Sequence, residues 1–224
     1  MTVPWNTASA SSAPDGFGDL FESFDQFPKG VEIRFRSEYQ GGQPLQLFEL
    51  QNVAEIRIDP VGGEGGDEAT IKAELRLADG NRIEAETDPV SIFNGRWTNL
   101  LFQLREGEPF IDLFVQQRSP TGEIVGVRGT SFQIGLQTAS NFLSASTVRI
   151  GGALGTSQFG EGVSFIGDLD QVNLWRKELS EERFDIHTLA PTKEAVDNSV
   201  LAEADDAFDK TEDFLRRQLL FRLD

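Results

Sequence analysis

Alternation of apolar and polar residues dominates the chain from Phe17 to Ile186. In VEIRFRSEY, Val31, Ile33 and Phe35 fall on one side and Glu32, Arg34 and Arg36 on the other, the period of two that marks a strand with one dry face. LQLFEL, AEIRID, IKAELRL and NRIEAET follow, and the last two flank Asp79-Gly80, a two-residue hairpin signal. NLLFQL alternates Leu100, Phe102 and Leu104, and PFIDLFVQQ comes after a turn at Glu106-Gly107-Glu108. EIVGVRG, SFQIGL, TVRIGG and FIGDLDQVNLW complete the series. Roughly ten short strands without a long helical period predict an antiparallel sandwich or barrel.

The two flanks read differently. Residues 1–16 are rich in Ser, Ala, Thr and Pro, the composition of an arm. Beyond Thr188 the chain turns rich in Ala, Glu, Asp and Leu, opens on the capping signal Pro191-Thr192, and predicts a helix. Leu201, Phe208 and Leu215 recur every seven residues in it. So narrow an apolar stripe suits packing on the chain's own sandwich or a seam against another subunit. Phe17, Phe21, Phe24 and Phe27 recur at intervals of three or four, as a buried turn or strand edge or as a contact surface for a partner. Phe17, Phe21, Phe24, Leu201, Phe208 and Leu215 are therefore the candidate interface residues. The expected organisation is an N-terminal arm (1–16), one sandwich (17–187) and a C-terminal helical extension (188–224).

Composition narrows the chemistry. Among 224 residues there is no Cys and one His, which is His187. That excludes a thiol nucleophile, a Cys zinc cluster and a multi-His metal site, and leaves any Ser/His/Asp triad dependent on one imidazole. Carboxylates remain the reactive groups. With 20 basic and 37 acidic residues the net charge is −17, which repels phosphate backbones and anionic lipids. Neither nucleic acid nor membrane insertion is expected of it. The opening MTVPWNTASASSAPDG has neither a basic n-region nor an apolar h-region. Synthesis in the cytoplasm without a signal peptide is the expectation, with incorporation into a virion if the chain is a particle component.

A family resemblance appears in the second half. Gly95-Arg96-Trp97 leads into Leu100-Leu101-Phe102-Gln103-Leu104; Ile111-Asp112-Leu113-Phe114-Val115 and Val148-Arg149-Ile150-Gly151-Gly152 follow. The series closes on Gly167-Asp168-Leu169-Asp170-Gln171-Val172-Asn173-Leu174-Trp175, with Leu179-Ser180-Glu181-Glu182 after it. This pattern resembles the laminin-G-like and pentraxin-like branch of the concanavalin A-like lectin/glucanase superfamily, across residues 95–186 and compatibly back to Phe17. The resemblance implies an all-β fold, a jelly-roll β-sandwich of two antiparallel sheets, here with an N-terminal arm and a C-terminal α-helix. Within it, Leu169, Val172 and Leu174 would pack near Trp175, whose bulk would fill the space between the sheets, and Ser180 would cap a short helix. The chain departs from the pattern after Val115, turning only at Ser119-Pro120-Thr121-Gly122, and no pentraxin calcium ligand matches a residue here.

Three chemistries follow. Some glucanases of the superfamily carry Glu-x-Asp-x-Glu on one strand; the analogue Glu84-Ala85-Glu86-Thr87-Asp88 has another order, and reads as the solvated face of a hairpin rather than a catalytic set. No enzyme is expected. No cofactor is expected either, beyond calcium, for which Asp168 and Asp170 are the candidate ligands and the Gly62–Glu68 loop a candidate wrap. For glycans, the aromatics are 18 Phe against 3 Trp and 1 Tyr, which favours core over sugar platforms. Tyr39 and Trp5 are the polar-tipped aromatics outside the sandwich motif. The leading expectation is a non-enzymatic assembly protein, such as a bacteriophage capsid-decorating or tail-associated component, with protein subunits as partners, homo-oligomeric ones included. A glycan-binding or adhesion module of the lectin type is the alternative.

Overall fold

The computed structural model describes residues 2–4, 30–50, 54–76, 82–104, 110–132, 147–151, 163–175, 178–201 and 219–223. Its strands are β1 (Thr2–Pro4), β2 (Gly30–Arg36), β3 (Leu45–Leu50), β4 (Ala54–Pro60), β5 (Glu68–Arg76), β6 (Arg82–Glu86), β7 (Val90–Ser91), β8 (Thr98–Leu104), β9 (Phe110–Arg118), β10 (Ile124–Phe132), β11 (Thr147–Ile150), β12 (Val163–Ser164), β13 (Asp168–Trp175) and β14 (Leu219–Leu223). Among the described residues, two helices, α1 (Glu181–Leu189) and α2 (Lys193–Leu201), lie between β13 and β14. An eight-stranded sheet runs β1-β11-β3-β4-β5-β6, with β12 beside β3 and β7 beside β5; a six-stranded sheet runs β10-β9-β8-β2-β13-β14. Neighbours pair antiparallel except β12 with β3. The expected jelly-roll sandwich is the fold found.

Period-two alternation builds the space between the sheets. Along β5, Ala69, Ile71, Ala73 and Leu75 are fully buried while Thr70, Lys72, Glu74 and Arg76 point outward. The six-stranded sheet answers with Val31, Ile33 and Phe35, Leu100 and Phe102, and Val172 and Leu174, all in the same cluster. The Ser119–Gly122 turn closes β9 on β10 as expected: Gly122 N–H donates to Ser119 O (2.9 Å), and Gly122 takes φ +91°, a left-handed conformation that suits glycine.

The outer face of the six-stranded sheet departs from the sequence reading. Trp175 does not sit between the sheets. It belongs to a second cluster with Leu101, Phe114, Leu179, Phe184 and Val196, under α1 and α2. Period two explains it: Leu174 and Trp175 are consecutive, so they face opposite ways. Leu169 joins Val172 and Leu174 on the inner side because the pairing of β13 with β2 shifts register between Leu169 and Gln171, which inserts one residue. The polar side of VEIRFRSEY is likewise roofed, and Glu32 is 5% exposed.

The helices are tied to that face by side-chain hydrogen bonds. Gln103 Nε2 donates to Leu179 O (3.1 Å) and its Oε1 accepts from Leu179 N (3.0 Å). Thr188 Oγ1 accepts from Asn99 Nδ2 (3.1 Å) and donates to Gln116 Oε1 (2.8 Å). Phe184 of α1 and Val196 of α2 pack on this face beside Leu101 and Phe114. Thr192 caps α2 through Ala195 N–H (3.2 Å). Ser180 occupies the N-cap position of α1, but its side chain makes no capping bond; its carbonyl receives Arg183 and Phe184 N–H instead.

The expected helical extension does not reach the end of the chain. Residues 219–223 (LLFRL) form β14 on the edge of β13, with Val172 opposite Leu223 and Leu174 opposite Phe221. An open strand edge offers backbone donors and acceptors that a returning segment satisfies, and this outweighs local helical preference. In the N-terminal arm, Thr2–Pro4 pairs with β11 as the sheet's outermost strand. Phe17, Phe21, Phe24, Phe208 and Leu215 lie outside the described residues, as does the side chain of Leu201. No described helix is long and apolar enough to cross a membrane.

Candidate functional site

The outer face of the eight-stranded sheet gathers charge that no single strand contains. β4, β5 and β6 alternate apolar residues inward with polar ones outward, and the register sets the polar ones side by side. Arg149 of β11 stands opposite Glu49 of β3, Glu49 opposite Glu55 of β4, Glu55 opposite Glu74 of β5, and Glu74 opposite Glu84 of β6. Four glutamates thus form one row across four strands, about 4.8 Å from strand to strand. A second row, two residues along, holds Gln46, Arg57, Lys72 and Glu86.

A cleft of about 290 Å³ opens on this face, lined by Glu55, Arg57, Lys72, Glu74, Glu84 and Glu86 together with Ala73 and Ala85. Its cations are largely committed. Arg57 grips Asp59 through two bonds (2.7 and 3.2 Å), and Lys72 Nζ lies 3.3 Å from Asp59 and 3.4 Å from Glu86. Arg149 Nη1 donates to Glu49 Oε2 at 2.7 Å. The middle of the row is less well served. Glu55, 5% exposed, keeps a buried Oε2 with no hydrogen-bond partner. Glu74 Oε1 is in the same condition; Arg82 Nε lies 3.3 Å away, out of hydrogen-bonding alignment.

Electrostatics follow from that arrangement. Burial pushes the Glu55 carboxyl up to about 7; Arg57 opposes this, while Glu49, Glu74 and Asp59 add to it. Burial also raises Glu74, against Arg82 and with Glu84. Perturbed carboxyls lining a cleft make it a candidate site.

The sequence reading reached only one end of this row, in Glu84-Ala85-Glu86-Thr87-Asp88. Glu84 and Glu86 do point outward. Thr87 is buried, its Oγ1 accepting Ile71 N–H at 3.0 Å, and Asp88 lies exposed beyond the strand. Glu55 and Glu74 were missed because each is one polar residue alternating with apolar neighbours; only strand register makes them a group.

The calcium candidates stand elsewhere and are held by arginines. Asp168 Oδ2 accepts from Arg36 Nε at 2.7 Å, and Asp170 Oδ2 lies 2.9 Å from Arg34 Nε. In the Gly62–Glu68 loop, Asp67 accepts Ser91 Oγ (2.6 Å) and its carbonyl receives Ile92 and Phe93 N–H. Among the described residues no three Asp, Glu or His side chains are placed to hold a metal ion. Asp168 also borders a rim cleft of about 410 Å³ with Arg36, Glu38 and Tyr39. Tyr39 there packs edge-on against Phe93, with ring centres 5.6 Å apart; Trp5 lies outside the described residues.

His187, the lone histidine, is buried beneath α2. Its Nδ1 is 2.8 Å from Glu32 Oε1 and its Nε2 2.8 Å from Ser199 Oγ. Glu32 Oε2 accepts from Trp175 Nε1 (3.0 Å) and Asn173 Nδ2 (3.2 Å). Burial alone would raise the Glu32 carboxyl, but the charge and hydrogen bond of His187, with the bonds from Asn173 and Trp175, hold it below its ordinary value. The order Ser–His–Glu is that of a hydrolase triad. Here Ser199 gives its proton to Val196 O at 2.7 Å, and all three side chains are buried. The group ties β2 to α1 and α2.

Two sheets packed face to face around one core form a jelly-roll β-sandwich. No family model matches the chain, and no curated protein matches its sequence. Among solved structures, the CBM40 of Ruminococcus gnavus IT-sialidase superposes with a TM-score of 0.53 at 15% identity, over 83% of this chain and 92% of that one. The same module bound to α2,3-sialyllactose gives 0.51 at 14% identity, with the same coverage of each chain. A leech intramolecular trans-sialidase complexed with 2,7-anhydro-Neu5Ac gives 0.52 at 16% identity, over 85% of this chain and 27% of that one. These likenesses are of fold. They do not single out a laminin-G-like branch.

Proposed function

We propose that this chain is a non-catalytic glycan-binding module of the lectin type, and that the glutamate-lined cleft of the eight-stranded sheet is its binding surface. One observation carries the proposal: buried acceptors on Glu55 and Glu74 lack hydrogen-bond partners in a cleft that also presents Arg57 and Lys72. Sugar hydroxyls both donate and accept, so they match a surface that mixes carboxylate acceptors with cationic donors. The Ruminococcus gnavus module, a carbohydrate-binding module by name, shares the fold over most of both chains, which supports the same reading. The particle-assembly expectation drew on the missing export signal, the arm-like and helix-like ends and the Phe-rich flanks, and the candidate interface side chains Phe17, Phe21, Phe24, Leu201, Phe208 and Leu215 lie outside the described residues; glycan binding is the better supported.

A glycan array followed by titration calorimetry tests it. Micromolar to millimolar binding to at least one glycan class is expected, weakened tenfold or more by Glu74→Gln with Glu84→Gln, with no new reducing ends after overnight incubation. Absence of binding across the array, or affinity unchanged in the double variant, would refute the site. Release of sugar would make the protein an enzyme.

A further inference from the structure

Resting on that reading, we infer that the ligand is an amino sugar whose protonated amine sits on the Glu55–Glu74–Glu84 row. The first observation is the charge of the row. Glu55, Glu74 and Glu84 stand opposite one another on β4, β5 and β6; Arg57 and Lys72 are engaged by Asp59 and Glu86, and Arg82, 3.3 Å from Glu74, offsets one of the three charges. The second is independent of that count: Glu55 is nine-tenths buried, lines the cleft, and carries an oxygen with no hydrogen-bond partner. A buried carboxylate left unmatched is costly, and a charge-assisted N–H···O bond is what relieves it.

The kind of cation follows from geometry. A metal ion needs several oxygens converging at about 2.3–2.6 Å, and no three acidic or imidazole groups among the described residues converge so. An ammonium carries three donors that reach separate acceptors at about 2.7–2.9 Å, which suits carboxylates spread over adjacent strands. An acidic sugar would add negative charge to the row. A neutral sugar would leave its charge uncompensated.

The second row makes the ligand a sugar rather than a bare amine. Arg57 and Lys72 stand opposite each other, two residues along from the glutamates, about 7 Å away along the strands. They can donate to ring or hydroxyl oxygens of a sugar whose amine lies on the glutamates. A polyamine has no acceptor for them and would be repelled.

Charge linkage gives the site a pH signature. Glu55 is faced by Glu49 from β3, by Glu74 from β5, and by Arg57 and Asp59 from its own strand, and its carboxyl is pushed up to about 7. An ammonium on it favours the ionised form, so binding weakens as pH falls below 7 and Glu55 takes up a proton. Binding also weakens at high pH, as the sugar amine loses its own.

Titration calorimetry at pH 7 with the whole chain tests this, using a glucosamine tetrasaccharide, its fully N-acetylated counterpart, sialyllactose and spermine as probes. The glucosamine oligomer should bind at least tenfold tighter than the N-acetylated one. Glu55→Gln should lower that affinity at least tenfold and abolish the weakening below pH 7. Circular dichroism confirms that the variant is folded. Equal affinity for the two oligomers, or a preference for sialyllactose, would overturn the amine inference and leave glycan binding standing. Spermine binding as tightly as the glucosamine oligomer would overturn the sugar and keep only the amine. Binding of none of the four at millimolar concentration would overturn the inference, while the glycan array separately decides whether the module binds sugars at all.

Discussion

Replacing Glu55 by Gln should stabilise the protein, and only above a definable pH. In the folded state the carboxyl is buried beside Glu49, Glu74 and Asp59 and titrates near 7, against an ordinary 4.5. Between those values the native chain holds a proton that the unfolded chain has released. Stability therefore falls as pH rises through that window. At about 1.4 kcal/mol per pH unit, the whole shift from 4.5 to about 7 is worth at most about 3.5 kcal/mol. Water in the open cleft screens the neighbouring charges, which reduces the effect to roughly 1–2 kcal/mol. Glutamine keeps the shape and carries no charge, so the loss disappears. Urea unfolding followed by tryptophan fluorescence, repeated at half-unit steps from pH 4 to 8.5, reads the difference directly. The two curves should differ by a constant amount at and below pH 4.5, and from there diverge by about 1–2 kcal/mol in the variant's favour by pH 8. A difference that stays constant with pH would refute the placement of Glu55 in a buried acidic row, and so would a wild type that gains on the variant as pH rises.

Other outcomes follow from the opposite face and the sheet edge. His187→Ala removes the partner of a buried carboxylate, and should cost about 3–5 kcal/mol in thermal or urea unfolding. Because Glu32 is held below its ordinary value, its contribution is full above the carboxylate range and is lost as pH falls through the lowered value. In the alanine variant burial raises that carboxyl instead, so its deficit against wild type should be largest near pH 7 and shrink as pH falls through the carboxylate range. Gly129→Ala would drive a methyl into the Glu86 carbonyl where β10 passes β6, and should cost about 1–3 kcal/mol with an unchanged urea dependence.

Most of the strand set could be read from alternation, because a strand's inward and outward faces are decided by neighbours one and two residues away. Val31, Ile33 and Phe35 are core as expected, and the Ser119–Gly122 turn forms where Pro and Gly place it. The proposed binding surface could not be read in that way. Glu49, Glu55, Glu74 and Glu84 are scattered over 36 positions and become a row only through the register of β3, β4, β5 and β6. The shift between Gln46 and Phe48 is part of that alignment.

What the sequence determined by itself was local or additive: the strands, the jelly-roll resemblance, the charge of −17, and the absence of cysteine chemistry. The tertiary structure decided which polar faces meet water. Glu32 and Glu74 sit in the same kind of alternating strand, yet α1 and α2 roof the first and a cleft exposes the second. It also turned LLFRL into β14, since an unpaired edge on β13 competes with helix formation and backbone pairing there wins. Pairing across a sheet depends on residues distant in the chain, so the periodicity of any one segment carries no record of its neighbour.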